Sequence, residues 1–139
     1  MAKRTGCRHE GTRACASPRY PQSVNKYKSL KAWQYSHQLV IRVLRSTDDA
    51  YHPRARALFD QVRRAAISVE ANIVEGYALS TAPQFRRHLR IALSSAAEVE
   101  CFCTIAKELS YLPDEAVTEI AGLASQTMRL LGGLLRTLR

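Results

Sequence analysis

Acidic and aromatic residues are both scarce in this chain. Twelve Asp and Glu face 21 Lys and Arg over 139 residues, a net charge of +9. Such an excess suggests a polyanionic partner or a basic tail. Aromatic side chains make up 7%, too few and too scattered to suggest a platform for stacking bases. No apolar run approaches the ~18–20 residues of a membrane span, and no signal-like apolar stretch follows the basic first residues. A membrane protein is thereby excluded, secretion is not expected, and a cytoplasmic location is. With 46% hydrophobic residues, the chain can bury one core, so its four cysteines need not act as staples.

Catalytic and metal-binding patterns are missing too. Carboxylate-bridged metal bundles need Glu-x-x-His pairs, and no Glu here has His three positions later. His9, His37, His52 and His88 are scattered. Cys7, His9 and Cys15 match no zinc finger or ribbon spacing. Cys101 and Cys103 lie about 200° apart on a helix, which suits neither chelation nor a disulfide, so free thiols in a reducing compartment are expected. There is no glycine-rich phosphate loop, no Gly-x-Ser-x-Gly and no Cys/His catalytic spacing. The expectation is no enzyme, no cofactor and no metal.

What is present is unevenly placed. Residues 1–28 carry Lys3, Arg4, Arg8, Arg13, Arg19, Lys26 and Lys28 against Glu10 alone, and Val24 is almost their only aliphatic group. That segment cannot bury enough apolar surface to offset its ordering entropy, and it reads as a flexible basic arm. An arm of this kind can hold phosphates, or it can be a solubilising tail.

Residues 29–139 read as four helices. Leu30, Trp33, Val40, Val43 and Leu44 recur at helical spacing, with Ser29 placed to cap. Leu58, Val62, Ala65, Val69, Ile73 and Gly76 mark a second helix over about 54–77, with Gly76 as its stop. Thr81-Ala82-Pro83-Gln84 reads as a capping box. It launches a helix to about Ser110 with the core row Phe85, Leu89, Ala92, Ala96, Val99, Cys103 and Ala106. After Pro113, Asp114 and Glu115 open a fourth helix with Val117, Ile120, Leu123, Thr127, Leu130, Leu134 and Leu138 inward; Gly132 and Gly133 weaken it locally. No segment alternates with period two. The fold class is all-α: an antiparallel up-down-up-down four-helix bundle.

Beside the apolar row of the second helix runs a polar one. Gln61, Arg64, Ser68, Asn72 and Glu75 fall within about 80° of each other, and Ser95 and Glu98 flank the third helix's row in the same way. Small amides and hydroxyls at core-edge positions predict a structural polar network, with Arg64 meeting Glu98. An exposed row or a ligand site are the alternatives.

Several of these segments resemble a known family. Tyr27–Gln34, YKSLKAWQ, is similar to the start of the bacterial four-helix bundle proteins encoded within 23S rRNA intervening sequences. Gln61–Gly76, QVRRAAISVEANIVEG, resembles that family's most distinctive segment. Phe85–Leu93, FRRHLRIAL, with Ser95, Glu98 and Glu100, is similar to its third-helix pattern. His88 stands where an aromatic is usual, and Ser94 where glycine is usual. The resemblance spans roughly residues 27–138 and implies a ring-like homo-oligomer, commonly a pentamer, with no established enzyme activity. It also implies nucleic-acid binding, or service as an accessory protein to a retroelement reverse transcriptase.

The arginines carry the binding expectation. Arg86, Arg87 and Arg90 cluster near the start of the third helix, and Arg54 and Arg56 near the start of the second. A pentamer would repeat each patch five times, which favours an extended polyanion, RNA slightly ahead of DNA, read by backbone and shape. The alternative is a scaffold for a protein partner.

Overall fold

The computed structural model describes residues 24–79 and 81–138; the greater part of the basic arm, with Cys7, His9 and Cys15, lies outside them. The described residues form four helices and no strand: α1 (Lys31–Asp49), α2 (Arg56–Ala78), α3 (Ala82–Glu108) and α4 (Asp114–Thr137). Each packs on its neighbours in the cyclic order α1, α2, α3, α4, the antiparallel arrangement that short connections favour. The end of the expected arm is part of this structure. Val24–Ser29 forms a short 3-10 helix leading into α1, and the Tyr27 ring meets Trp33 edge-on at 5.4 Å between centroids.

Helix ends depart from the sequence reading in instructive ways. The residue before α1 is Leu30, without a side-chain cap, because the Ser29 hydroxyl donates to the Lys26 carbonyl at 2.7 Å instead. Thr81 does precede α3, but its hydroxyl donates to the Gln84 side-chain oxygen at 2.6 Å rather than forming a capping box with the backbone. Ser110, the expected end of the third helix, lies just past it with φ 56°. There it turns the chain in the left-handed region, while the Tyr111 N–H reaches back to the Ala106 carbonyl at 2.8 Å.

The interior is two cores. One gathers Leu39, Val43, Phe59, Val62, Val99, Cys103 and Ile120 near the α1–α2 and α3–α4 connections. The other gathers Ala32, Val69, Ile73, Leu89, Ala96 and Leu131 near the α2–α3 connection. Between them each helix contributes a small hydroxyl: Ser36, Ser68, Ser95 and Thr127. Ser36 and Thr127 are fully buried and donate to their own helix, to the carbonyls of Trp33 and Leu123, both at 2.8 Å. Ser68 and Ser95 bond each other across α2 and α3 at 2.9 Å. These four hydroxyls are thus satisfied without crossing the centre of the bundle.

The core row read for the third helix holds, with only Phe85 half-exposed. On α4 the expected row holds at Val117, Ile120 and Thr127, which are buried, but Ala116, Ala124 and Leu131 join them, whereas Leu123, Leu130, Leu134 and Leu138 are half-buried.

Burial also settles the thiol chemistry. Cys103 is sealed in the first core and Cys101 is exposed, both as free thiols. Desolvation pushes the Cys103 thiol up to about 12 from its ordinary 9.0. The unfolded thiol ionises first, so stability that is intact below pH 9 falls as the pH rises from there towards 12. Replacing Cys103 with alanine should flatten this part of the pH–stability curve relative to the parent. With Cys7 and Cys15 changed to serine, a thiol reagent should titrate Cys101 in the native protein and Cys103 only on unfolding.

Candidate functional site

Two polar features stand out on this frame, the seam between α2 and α3 and the charge at one end of the bundle.

The seam is a relay. Asn72, one turn beyond Ser68 on α2, donates through Nδ2 to the Ser68 carbonyl at 2.8 Å and to its hydroxyl at 3.2 Å. A carbonyl can only accept, so the amide orientation is set and Asn72 Oδ1 faces α3. His88 Nδ1 lies 2.9 Å from that oxygen and 3.7 Å from Glu75 Oε2. Two acceptors at one nitrogen place the imidazole proton on Nδ1. The chain of contacts Ser95–Ser68–Asn72–His88–Glu75 therefore ties two helices together in a fixed register.

Of the seven residues read as a polar network, the structure brings Ser68, Asn72, Glu75 and Ser95 together. Gln61, Arg64 and Glu98 are exposed. Arg64 and Glu98 flank the same seam one turn out, yet no ion pair joins them, because at that level both reach solvent. His88, which stands in an aromatic's place and is not among the seven, completes the network.

Gly76 explains how close the helices come. A Cβ added there would lie 2.7 Å from His88 Cβ and 2.9 Å from Phe85 Cδ2. Gly76 is not a helix stop, since α2 continues to Ala78. Its missing side chain is what lets α3 approach and His88 reach Asn72.

The second feature is a separation of charge along the bundle axis. Folding the chain up and down places Lys26, Lys28, Lys31, Arg86, Arg87, Arg90, Arg129 and Arg136 in the half that holds the α2–α3 connection, against Glu70 and Glu75 alone. The other half has seven Lys and Arg against nine Asp and Glu. Arg54 and Arg56 belong to that other half, roughly 30 Å from Arg86 by the helical rise along α2. Arg54 borders a depression with Asp49, Tyr51, His52, Ser110 and Tyr111. The two arginine groups expected to act as patches are therefore not one surface.

Pairing differs between the ends as well. In the second half Arg42 pairs with Glu119 at 2.6 Å, Lys107 with Asp114 at 3.9 Å, and Arg63 with Asp48. Arg63 also donates through Nε to the buried Thr47 hydroxyl at 2.8 Å, clamping α2 to the end of α1. In the basic half both carboxylates face histidines, Glu70 with His37 at 3.1 Å and Glu75 with His88. None of the eight cations there is ion-paired among the described residues. Arg86 is partly sunk, with its Nε buried and without an acceptor.

Some of these cations also sit at unfavourable places for the helices that carry them, whereas Arg136 lies in the last turn of α4, where a cation is favoured. Lys31 is the first residue of α1, and Arg86 and Arg87 lie in the opening turns of α3; neither helix has an acidic residue in its first turn. A helix N-terminus favours anions, and a cation in the first turn, where Lys31 stands, costs about 0.3–1 kcal/mol, with less at Arg86 and Arg87 in the second turn of α3. By contrast α4, which starts at the other end, opens with Asp114 and Glu115. Among the described residues no group of three or more His, Cys, Asp or Glu could hold a metal ion, and no helix is long and apolar enough to cross a membrane.

Fold and surface together define an antiparallel four-helix bundle with one unneutralised basic end. The chain belongs to the 23S rRNA-intervening sequence protein family, whose model matches residues 28–133. Its fold is similar to that of a solved S23 ribosomal protein family member from Bacteroides thetaiotaomicron VPI-5482. The two share 20% identity and superpose with a TM-score of 0.66 over 76% of this chain and 98% of that one. No curated protein matches the sequence.

Proposed function

We propose that the protein is a non-enzymatic, cytoplasmic homo-oligomer, a pentameric ring, that binds nucleic acid through the phosphate backbone at its basic end, RNA in preference to DNA. The observation that carries this reading is the set of eight cations with no ion-pair partner among the described residues, Lys31 among them standing against the dipole of α1. A phosphate would satisfy both the cations and the free N–H groups of the α1 and α3 N-termini. The family's association with rRNA genes favours RNA.

Salt dependence tests it. The intact protein should bind an rRNA-like hairpin with a steep log–log salt slope, and a variant lacking residues 1–23 should keep most of it. A slope lost with those residues would reduce the binding to a basic tail, and no binding at low salt would leave the scaffold alternative.

A partly exposed apolar stripe on α2, edged by Glu70 and Glu75, supports assembly. Ile67 is 49% exposed, and with Ala71 and Val74 it lines a shallow depression against Val40 of α1. These positions repeat by four and three on the face away from the α2 core row. Ile67→Glu should leave the helical content unchanged and lower the mass seen by light scattering from a multiple of 15.6 kDa to the single chain. An unchanged mass would place the contact elsewhere.

A further inference from the structure

We propose that the groove between the start of α1 and the end of α4 is a docking site for an acidic amphipathic helix of a protein partner. The groove has a volume of about 650 Å³. Leu30, Ala32, Leu130 and Leu134 form its apolar lining, and Lys31, Arg129 and Arg136 stand around it. Among the described residues no carboxylate lines it. Gly133 keeps the α4 side low, since a Cβ there would meet nothing nearer than Arg136 Nη2 at 3.9 Å. Nothing in the chain's own packing calls for glycine at that position.

The occupant follows from apolar surface and charge taken together. A phosphate backbone has nothing to bury on leucine, whereas an amphipathic helix seats apolar residues at i, i+3, i+4 and i+7 in such a groove. The lining from Arg129 to Thr137 runs ~12 Å along α4, room for about two turns. Three cations around leucines then select carboxylates flanking the apolar row. The chain's own residues 1–23 have the wrong sign, with five Lys and Arg against Glu10. Lys31, Arg129 and Arg136 also belong to the basic end, but Arg86, Arg87 and Arg90 do not line the groove, so the inference adds a protein ligand beside them and goes beyond the nucleic-acid reading.

The test is fluorescence anisotropy with the full chain and a labelled helical peptide of ~15 residues, leucine at the seating positions and glutamate beside them. A control peptide has the same charge with serine for leucine. The leucine peptide should bind at least about tenfold more tightly than the control. Gly133→Leu, which has room to fold and fills the groove, should weaken it about tenfold, as should Arg129→Glu with Arg136→Glu. Arg86→Gln with Arg90→Gln should leave peptide binding unchanged while weakening the hairpin, which separates failure of this inference from failure of the nucleic-acid reading. Equal binding of both peptides, no binding of either, or indifference to Gly133→Leu overturns it. So does hairpin binding or self-association that is lost in Gly133→Leu while the peptide does not bind.

Discussion

Gly76→Val is expected to destabilise the bundle by about 3 kcal/mol, read from the shift of the denaturant midpoint at constant slope. Alanine at this position would gain about 1 kcal/mol of helix propensity, but its Cβ would lie 2.7 Å from the Cβ of His88. That neighbour is the root of a side chain, so no rotamer change moves it away. The helices must separate instead, which stretches the Asn72–His88 and Ser68–Ser95 bonds together. Valine adds two methyl groups in the same space. His88→Ala keeps the offending atom and should not rescue either variant. His88→Gly removes it and should recover part of the loss, which distinguishes a clash at this contact from a general effect on α2.

Changing Arg86, Arg87 and Arg90 together to glutamine is expected to weaken hairpin binding by roughly one to two orders of magnitude near 0.1 M salt, and to lower the salt slope by about 2. The same variant should be no less stable than the parent, and slightly more so without nucleic acid. The reason is that Arg86 and Arg87 stand in the opening turns of α3 with no acidic residue beside them, where cations oppose the helix dipole. Opposite signs for stability and binding would mark these residues as retained for a ligand. Arg54→Gln with Arg56→Gln, at the far end among carboxylates, should change affinity by less than about threefold. Loss of folding in the triple variant, or equal effects from the two ends, would contradict the placement.

The helices were legible because burial leaves a period, and α3 shows it most clearly: its row of Leu89, Ala92, Ala96, Val99, Cys103 and Ala106 is buried throughout. α4 was harder, since it carries leucine on more of its circumference than the core can cover. Small residues, Ala116 and Ala124, take buried positions, and a reading that follows the largest side chains drifts off them. Ser68, Asn72 and Ser95 were recognisable as a stripe from spacing alone. Arg64 and Glu98 extended that stripe, but long side chains at the rim gain little by pairing where water is at hand. His88 was not read as polar glue because its partner, Asn72, is sixteen positions away and only the antiparallel pairing brings them together.

Charge separation was hidden for a related reason. Lys26 to Lys31, Arg86 to Arg90 and Arg129 to Arg136 are far apart in the chain, and Arg54 and Arg56 look equivalent to Arg86 in a list of arginines. The signal was nonetheless available. Laying the charges on an up-and-down topology, which the loop lengths already implied, sorts them into two ends.

The four hydroxyls between the two cores have a consequence for how the molecule opens. Ser36, Ser68, Ser95 and Thr127 leave each apolar cluster to close largely on its own helix segments, with few large side chains bridging the middle. Amide protons in the half around Leu39, Phe59 and Ile120, where two connections tie the helices together, should exchange through rarer excursions. Those around Ala32 and Leu131, where α1 begins and α4 ends, should exchange through a cheaper partial unravelling that leaves the first half intact. On that expectation the basic end should open more readily, leaving its cations free to follow an irregular backbone.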